Sequence, residues 1–361
     1  MSEFSTANII SNAVSSPSFP QGLNVGGADI TTLISMTEYY EQAGEPTSPA
    51  SGAVWWTGSI MYQYVGGAWR IVSVSATPPP GAGDRGLFGG GFNYSAFDTI
   101  DYVAIPTTGN ATDFGNLTLS RSSLSACSGG GRGLFAAGVS SNVIDYVTIA
   151  TPGNATDFGD VLTSELYSFA ACSNGSRGIF AGGFDGSATN VIQYVTISTT
   201  GNSIDFGDLT VARHSLAGCS DGTYGVFGGG NGSNTDIIDY ITIATLGNAT
   251  DFGDLSVGRQ KPVACANASR GLFGGGNGPS NVIDYITIAT PSNATDFGDL
   301  TAATQSLSAC SNASRGLFGG GGSYAAGLNT ISYVTIDTPG NATDFGDLSV
   351  ARYGLASCSG D

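Results

Sequence analysis

Positive charge is what this sequence has least of. Lysine and arginine together number 11 against 28 aspartates and glutamates, the formal net charge is −17, and there is a single histidine. A chain so acidic repels a phosphate backbone, which excludes nucleic acid as an expected partner. One histidine leaves no room for a multi-histidine metal site or for most histidine-based catalysis, so neither a metal nor a cofactor is expected. No apolar run approaches the roughly 18–20 residues that cross a bilayer, so no membrane insertion is expected. The opening Met1-Ser2-Glu3-Phe4 lacks the basic-then-apolar order of a secretory signal. Hydrophobic residues nevertheless reach 41%, too many for a disordered chain. Glycine is what the chain has in excess: 56 of 361 residues, about twice the usual ~7%.

The glycines are periodic. Gly-Leu-Phe-Gly-Gly-Gly or a close variant starts at Gly86, Gly133, Gly178, Gly225, Gly271 and Gly316, at spacings of 47, 45, 47, 46 and 45 residues. A period of ~40–50 residues with no helical pattern indicates a β-propeller. Each copy reads as four short strands. The first is small and apolar, as in Ser168-Phe169-Ala170-Ala171-Cys172; the second is the glycine-rich segment. The third resembles Asn142 to Ile149, rich in β-branched and aromatic residues and apolar on both faces, as a blade packed between two neighbours requires. The fourth is the Ala-Thr-Asp-Phe-Gly-Asp of 155–160, reached through Thr-Pro-Gly-Asn turn chemistry. The repeat begins at a second strand, Arg85-Gly86-Leu87, and closes on first-strand sequence, Leu355 to Ser359. The C-terminal strand is therefore expected to complete the first of six blades and leave no open seam.

This order of a small apolar strand, a strand ending in Gly-Gly, a tyrosine-bearing strand, an aromatic strand and an arginine resembles the kelch repeat of kelch-type propellers. Two features depart from it. The fourth-strand aromatic is Phe114, Phe158, Phe206, Phe252, Phe297 and Phe345 where kelch repeats usually carry tryptophan. The closing arginine is kept at Arg121, Arg213, Arg259 and Arg352 but not in the second and fifth copies. The resemblance implies the fold and is nearly silent on function.

The six cysteines, Cys127, Cys172, Cys219, Cys265, Cys310 and Cys358, hold one position of the repeat each. Equivalent positions of successive blades do not meet the ~5.5 Å Cα spacing of a disulfide, and no Cys-x-x-Cys pair suggests a metal. Six free, buried thiols are expected. Nine of the ten arginines also sit at repeat positions and read as ion pairs or backbone clamps between blades, facing repeated acids such as Asp113, Asp157, Asp205, Asp251, Asp296 and Asp344. Asp-Phe-Gly occurs six times without the lysine or catalytic loop of a kinase. Asn-x-Ser/Thr at Asn110, Asn154, Asn248, Asn293 and Asn341 reads as turn chemistry. His214 reads as an ordinary surface or packed histidine.

Residues 1–84 carry no copy of the repeat. An extended arm with a short helix between Thr31 and Gly44 is expected over 1–44, an aromatic β-meander over 45–75 with strands at 53–57, 60–65 and 68–74, and a Pro/Gly linker over 76–84; the propeller occupies 85–361. All three tryptophans lie in the meander. Its pattern, Pro49-x-x-Gly52-x-x-Trp55, then Tyr62-x-Tyr64, then Gly67-x-Trp69-x-x-Val72, resembles a small module of bacteriophage tail-fibre and other virion proteins.

That resemblance implies a phage virion appendage, a tail fibre or a capsid-surface fibre, made in the host cytoplasm and multimeric in the particle. It would dock to other virion proteins through 1–84, with Phe4, Ile9, Ile10, Trp55, Trp56 and Trp69 as anchoring candidates. The second function in view is recognition of a host-surface glycan, on a virion or as a free carbohydrate-binding adhesin. The segments joining second and third strands vary most between copies, and variable loops on a constant scaffold are where recognition resides. Phe92, Tyr94, Phe97, Phe184 and Tyr324 are candidates to stack on sugars, and Asn93, Asp185 and Asn231 to hydrogen-bond their hydroxyls. Catalysis is not expected, because the arginines are locked to the repeat and no carboxylate pair stands apart from it.

Overall fold

In the computed structural model the chain divides into two compact units, Met1–Thr77 and Pro78–Asp361. The structure describes residues 84–360, apart from 164, 232–235, 279 and 324–325, together with the backbone of four strands in the first unit. Those four are Tyr39–Glu41, Val54–Trp56, Ile60–Val65 and Ala68–Val74. The last three form the antiparallel meander at the expected positions, and Tyr39–Glu41 adds to it in parallel, opposite Val54–Trp56. A strand thus stands at 39–41, inside the segment where a helix is expected; the rest of that segment, the arm with Phe4, Ile9 and Ile10, and 75–83 lie outside the described residues. So do the side chains of Trp55, Trp56 and Trp69.

The second unit is a six-bladed propeller of four-stranded antiparallel blades. Blade 2 shows the pattern: Ser125–Gly129 innermost, then Arg132–Gly138, Ser141–Thr148 and Thr156–Asp160 outermost. Blade 1 is assembled from both ends of the unit. Its innermost strand is Ala356–Ser359, paired with Arg85–Gly89 so that Cys358 faces Leu87, and Thr99–Ala104 and Thr112–Asn116 follow outward. The innermost strands neighbour one another around a closed ring.

The repeat residues explain the closure, because at each radius they reach the neighbouring blade. Next to the axis, Ser128 Oγ donates to Ser359 O, Ser173 Oγ to Ser128 O, Ser220 Oγ to Ser173 O, Ser311 Oγ to Ala266 O and Ser359 Oγ to Ser311 O, at 2.6–2.7 Å. Ala266 takes the serine's place in blade 5. One step outward, each cysteine packs beneath the first glycine of the next blade's second strand. A Cβ on Gly86 would lie 2.8 Å from Cys310 Sγ, and one on Gly133 2.9 Å from Cys358 Sγ. Any larger residue there would collide with the neighbouring thiol.

Between the blades lie the second-strand phenylalanines Phe88, Phe135, Phe180, Phe227, Phe273 and Phe318, at most 1% exposed. At the outer edge, the fourth-strand glycine of Asp-Phe-Gly sits at a bulge opposite the third strand. Gly115 has φ +146°, and a Cβ there would lie 2.4 Å from Gly153 O of the next blade. The close approach lets the turn asparagine lock the edge. Asn154 Oδ1 accepts the Asn116 N–H, and Asn110, Asn202, Asn248, Asn293 and Asn341 repeat this contact around the ring at 3.0–3.1 Å.

The nine propeller arginines form two sets. Arg85, Arg132, Arg177, Arg270 and Arg315 stack at 4.6–4.9 Å on the third-strand tyrosine of their own blade. Each then donates to a carbonyl of another blade, as Arg132 does to Ile197 O at 3.0 Å. Tyr224 replaces this arginine in blade 4 and packs edge-on against Tyr240. The second set, Arg121, Arg213, Arg259 and Arg352, forms buried ion pairs with Asp145, Asp239, Asp284 and Asp101 at 2.8–3.0 Å. The acids serving the scaffold are thus those of the third strands. Asp113, Asp157, Asp205, Asp251, Asp296 and Asp344 are exposed instead, because they begin the outermost strand on its solvent side.

Candidate functional site

All six thiols are free and buried. Burial raises their pKa values, to about 12 for Cys127 and Cys265, so they pack as small apolar groups. Among the described residues no group of three or more histidines, cysteines or carboxylates is placed to hold a metal ion.

The concavity of the propeller is the mouth of its axis, a cavity of about 370 Å³ that continues into a narrower one of about 80 Å³ between the cysteine-bearing strands. Its rim is built by the residue two places before each innermost strand. Ser123, Ser168, Ser215, Lys261, Ser306 and Gly354 hold equivalent positions, all with φ between +55° and +61°. Backbone hydrogen bonds run from blade to blade through them: Ser168 N–H to Ser123 O, Ser215 N–H to Ser168 O, Lys261 N–H to Ser215 O, Ser123 N–H to Gly354 O and Gly354 N–H to Ser306 O, at 2.5–2.9 Å. This belt explains the left-handed conformation at residues other than glycine. It does not explain the lysine, since serine or glycine fills the same place in the other five blades.

The residue before each belt position varies: Ser122, Tyr167, His214, Gln260, Gln305 and Tyr353. The backbone of each pairs with the loop between the second and third strands of its own blade, through Val139, Phe184, Asn231, Asn277, Gly322 and Phe92 respectively. Blades 1, 3 and 4 thereby place aromatic rings at the rim. Phe92 lies 5.7 Å from Tyr353, Tyr167 lies 5.4 Å from Phe184, and Phe184 meets His214 edge-on at 5.3 Å. Blades 5 and 6 present Gln260, Asn277, Gln305 and Gly322. A six-fold backbone thus carries a one-sided set of side chains.

His214 is held from both ring nitrogens. Asn231 Nδ2 lies 2.9 Å from Nε2, and Nδ1 lies 3.0 Å from Ser215 Oγ. An amide nitrogen only donates, so Nε2 accepts and the neutral ring carries its proton on Nδ1. Partial burial, and then the charge of Lys261, lower the His214 pKa from its ordinary value. Among the described residues that line the mouth there is no aspartate or glutamate, while Lys261 and His214 are both present.

Of the loop candidates, Phe92, Phe184 and Asn231 stand at this rim. Tyr94 is 87% exposed at the tip of the hairpin Phe92–Asn93/Ser95–Ala96. Asn93 is tied to the scaffold through Ala351 O at 3.1 Å. Phe97 is half-buried, and its backbone bonds Gly91 O and the Arg121 N–H. Asp185 is exposed beside Phe184. Tyr324 lies outside the described residues. Tyr167, His214, Lys261 and Tyr353 are the mouth residues absent from the sequence candidates. Their signal was the departure from the repeat just before the innermost strand, the one stretch where successive copies share no side-chain chemistry.

A scan against protein-family models finds none that matches the chain, and a search of curated proteins finds none similar to it.

Proposed function

We propose that this chain is a binding module, an adhesin whose ligand seats in the mouth of the propeller axis, carried on a bacteriophage virion appendage through residues 1–84. The observation supporting the binding role is the break in symmetry at the mouth. The axial serines, the packed cysteines, the edge asparagines and the belt backbone recur around the ring because each performs one structural task per blade. The rim side chains have no such shared task, yet they gather aromatic rings on one side and amides on the other around an open cavity. Its ~370 Å³ falls in the usual ~300–1,000 Å³ range of small-ligand sites. The virion setting is supported by the tryptophan-rich meander and its resemblance to tail-fibre modules.

The test is binding of the full chain to bacterial envelope polysaccharides and whole cells, against a Phe184→Ala/Tyr353→Ala variant whose folding is checked by thermal unfolding. Binding abolished in the variant supports the mouth as the site; equal binding by both proteins refutes it. For the virion setting, an antibody to the chain should decorate intact phage particles.

A further inference from the structure

We infer that the mouth is built for an acidic sugar, with Lys261 holding the carboxylate and the aromatic side of the rim holding the ring. The inference rests on the mouth being the binding site and adds the chemistry of its ligand.

Charge points to the anion. The propeller is strongly acidic, and its nine arginines are all engaged by carbonyls, tyrosine faces or buried aspartates. The one lysine of the chain stands at the belt position that is serine or glycine in the other five blades. No carboxylate lines the mouth among its described residues. A neutral ligand needs neither feature, whereas an anionic ligand approaching a chain of net charge −17 needs both.

Shape and surface point to a sugar. Phe184, Tyr167, Tyr353 and Phe92 offer rings on one side of the cavity, and the belt serines offer hydroxyls beneath them. Flat apolar faces beside short hydroxyl groups match a pyranose, which is apolar on its C–H face and polar around its edge. A peptide ending in a free carboxylate would satisfy Lys261 but would leave this pairing of faces and hydroxyls unused.

The test is a glycan array of acidic oligosaccharides, including sialyllactose and oligogalacturonate, each paired with its neutral counterpart, lactose or the methyl ester. It is probed with the full chain and with Lys261→Met, Lys261→Ser and Phe184→Ala. Serine is native to this position in four blades, so Lys261→Ser keeps the belt. At least one acidic glycan should bind about tenfold or more tightly than its neutral partner. Both Lys261 variants should remove that preference, and Phe184→Ala should weaken acidic and neutral glycans alike. Glycan binding that is sensitive to Phe184→Ala but indifferent to Lys261 and to the carboxylate overturns the acidic-sugar inference and leaves the mouth as the site. Absence of any Lys261-dependent glycan binding, or Lys261-dependent binding of C-terminal peptide carboxylates alone, overturns it as well. Binding unchanged in every variant overturns the mouth reading itself.

Discussion

Arg352 and Asp101 stand 251 positions apart in sequence and form a fully buried ion pair, Nη2 to Oδ2 at 3.0 Å. The same guanidinium donates to Phe88 O at 3.0 Å, and the same carboxylate accepts the Ser349 N–H and hydroxyl. Three sister pairs repeat this geometry. In the remaining two junctions both partners change together: Leu166 and Gln193 serve blade 3, and Thr304 and Ser332 serve blade 6. Gln193 Oε1 takes over the linker amide, accepting the Leu162 N–H at 2.8 Å. The chain never leaves a lone third-strand carboxylate at this depth, as expected when an unpaired buried charge costs more than the pair contributes.

Removing one partner should therefore be worse than removing both. Arg352→Leu alone should destabilise the propeller by about 3–5 kcal/mol. Arg352→Leu with Asp101→Gln, the combination found in blade 3, should recover most of that loss. Urea unfolding of the two single variants and the double variant measures the coupling, and additive losses would contradict it.

The axial serine ring lacks one donor, at Ala266. Ala266→Ser places a hydroxyl facing Ser220 O, as Ser173 faces Ser128 O, and should stabilise by about 0.5–1.5 kcal/mol. Ser173→Ala should cost a similar amount. Thermal midpoints of the two variants should move in opposite directions.

None of the six cysteines should react with a thiol reagent in the native protein at pH 8. Burial holds Cys127 and Cys265 near 12 and the other four also above the ordinary thiol value, so hardly any thiolate forms. All six should react in denaturant. A native thiol that titrates rapidly would mean that its blade junction opens.

Acid should act on the mouth through His214. Its folded pKa is lowered, so below about pH 6.5 the unfolded chain binds a proton that the folded chain resists, and stability falls as pH falls. The groups facing the ring are Lys261, Asn231, Ser215 and Phe184, and no lining carboxylate is present to offset the new charge. His214→Gln should remove this part of the acid sensitivity, measured as the thermal midpoint between pH 7.5 and 5. For an acidic ligand the sign reverses, because a protonated His214 adds to Lys261 and affinity should rise on acidification.

The scaffold was legible because each of its tasks recurs in the blades. A cysteine under a glycine, an asparagine at an edge and a phenylalanine between sheets each leave a period of about 46 residues in the sequence, and the phase of that period placed Ala356–Ser359 in the first blade. The ion pairs were half legible. The arginines showed as repeats, but their partners were expected among the exposed Asp-Phe-Gly acids, because sequence does not tell which of two regularly spaced carboxylates faces inward. The mouth was least legible. Loop variability pointed to Phe92, Phe184 and Asn231, whereas Tyr353, His214 and Lys261 come from the opposite end of the repeat and meet those loops only once the blades are folded.

The closing strand has a consequence for synthesis. Until residues 356–359 leave the ribosome, blade 1 has three strands, and the backbone of Arg85–Gly89 presents an unpaired inner edge. For the whole time that five later blades are being made, the first part of the propeller to emerge is the last to be completed. That waiting edge is where a chaperone, or another nascent copy of this chain, has its longest opportunity to bind.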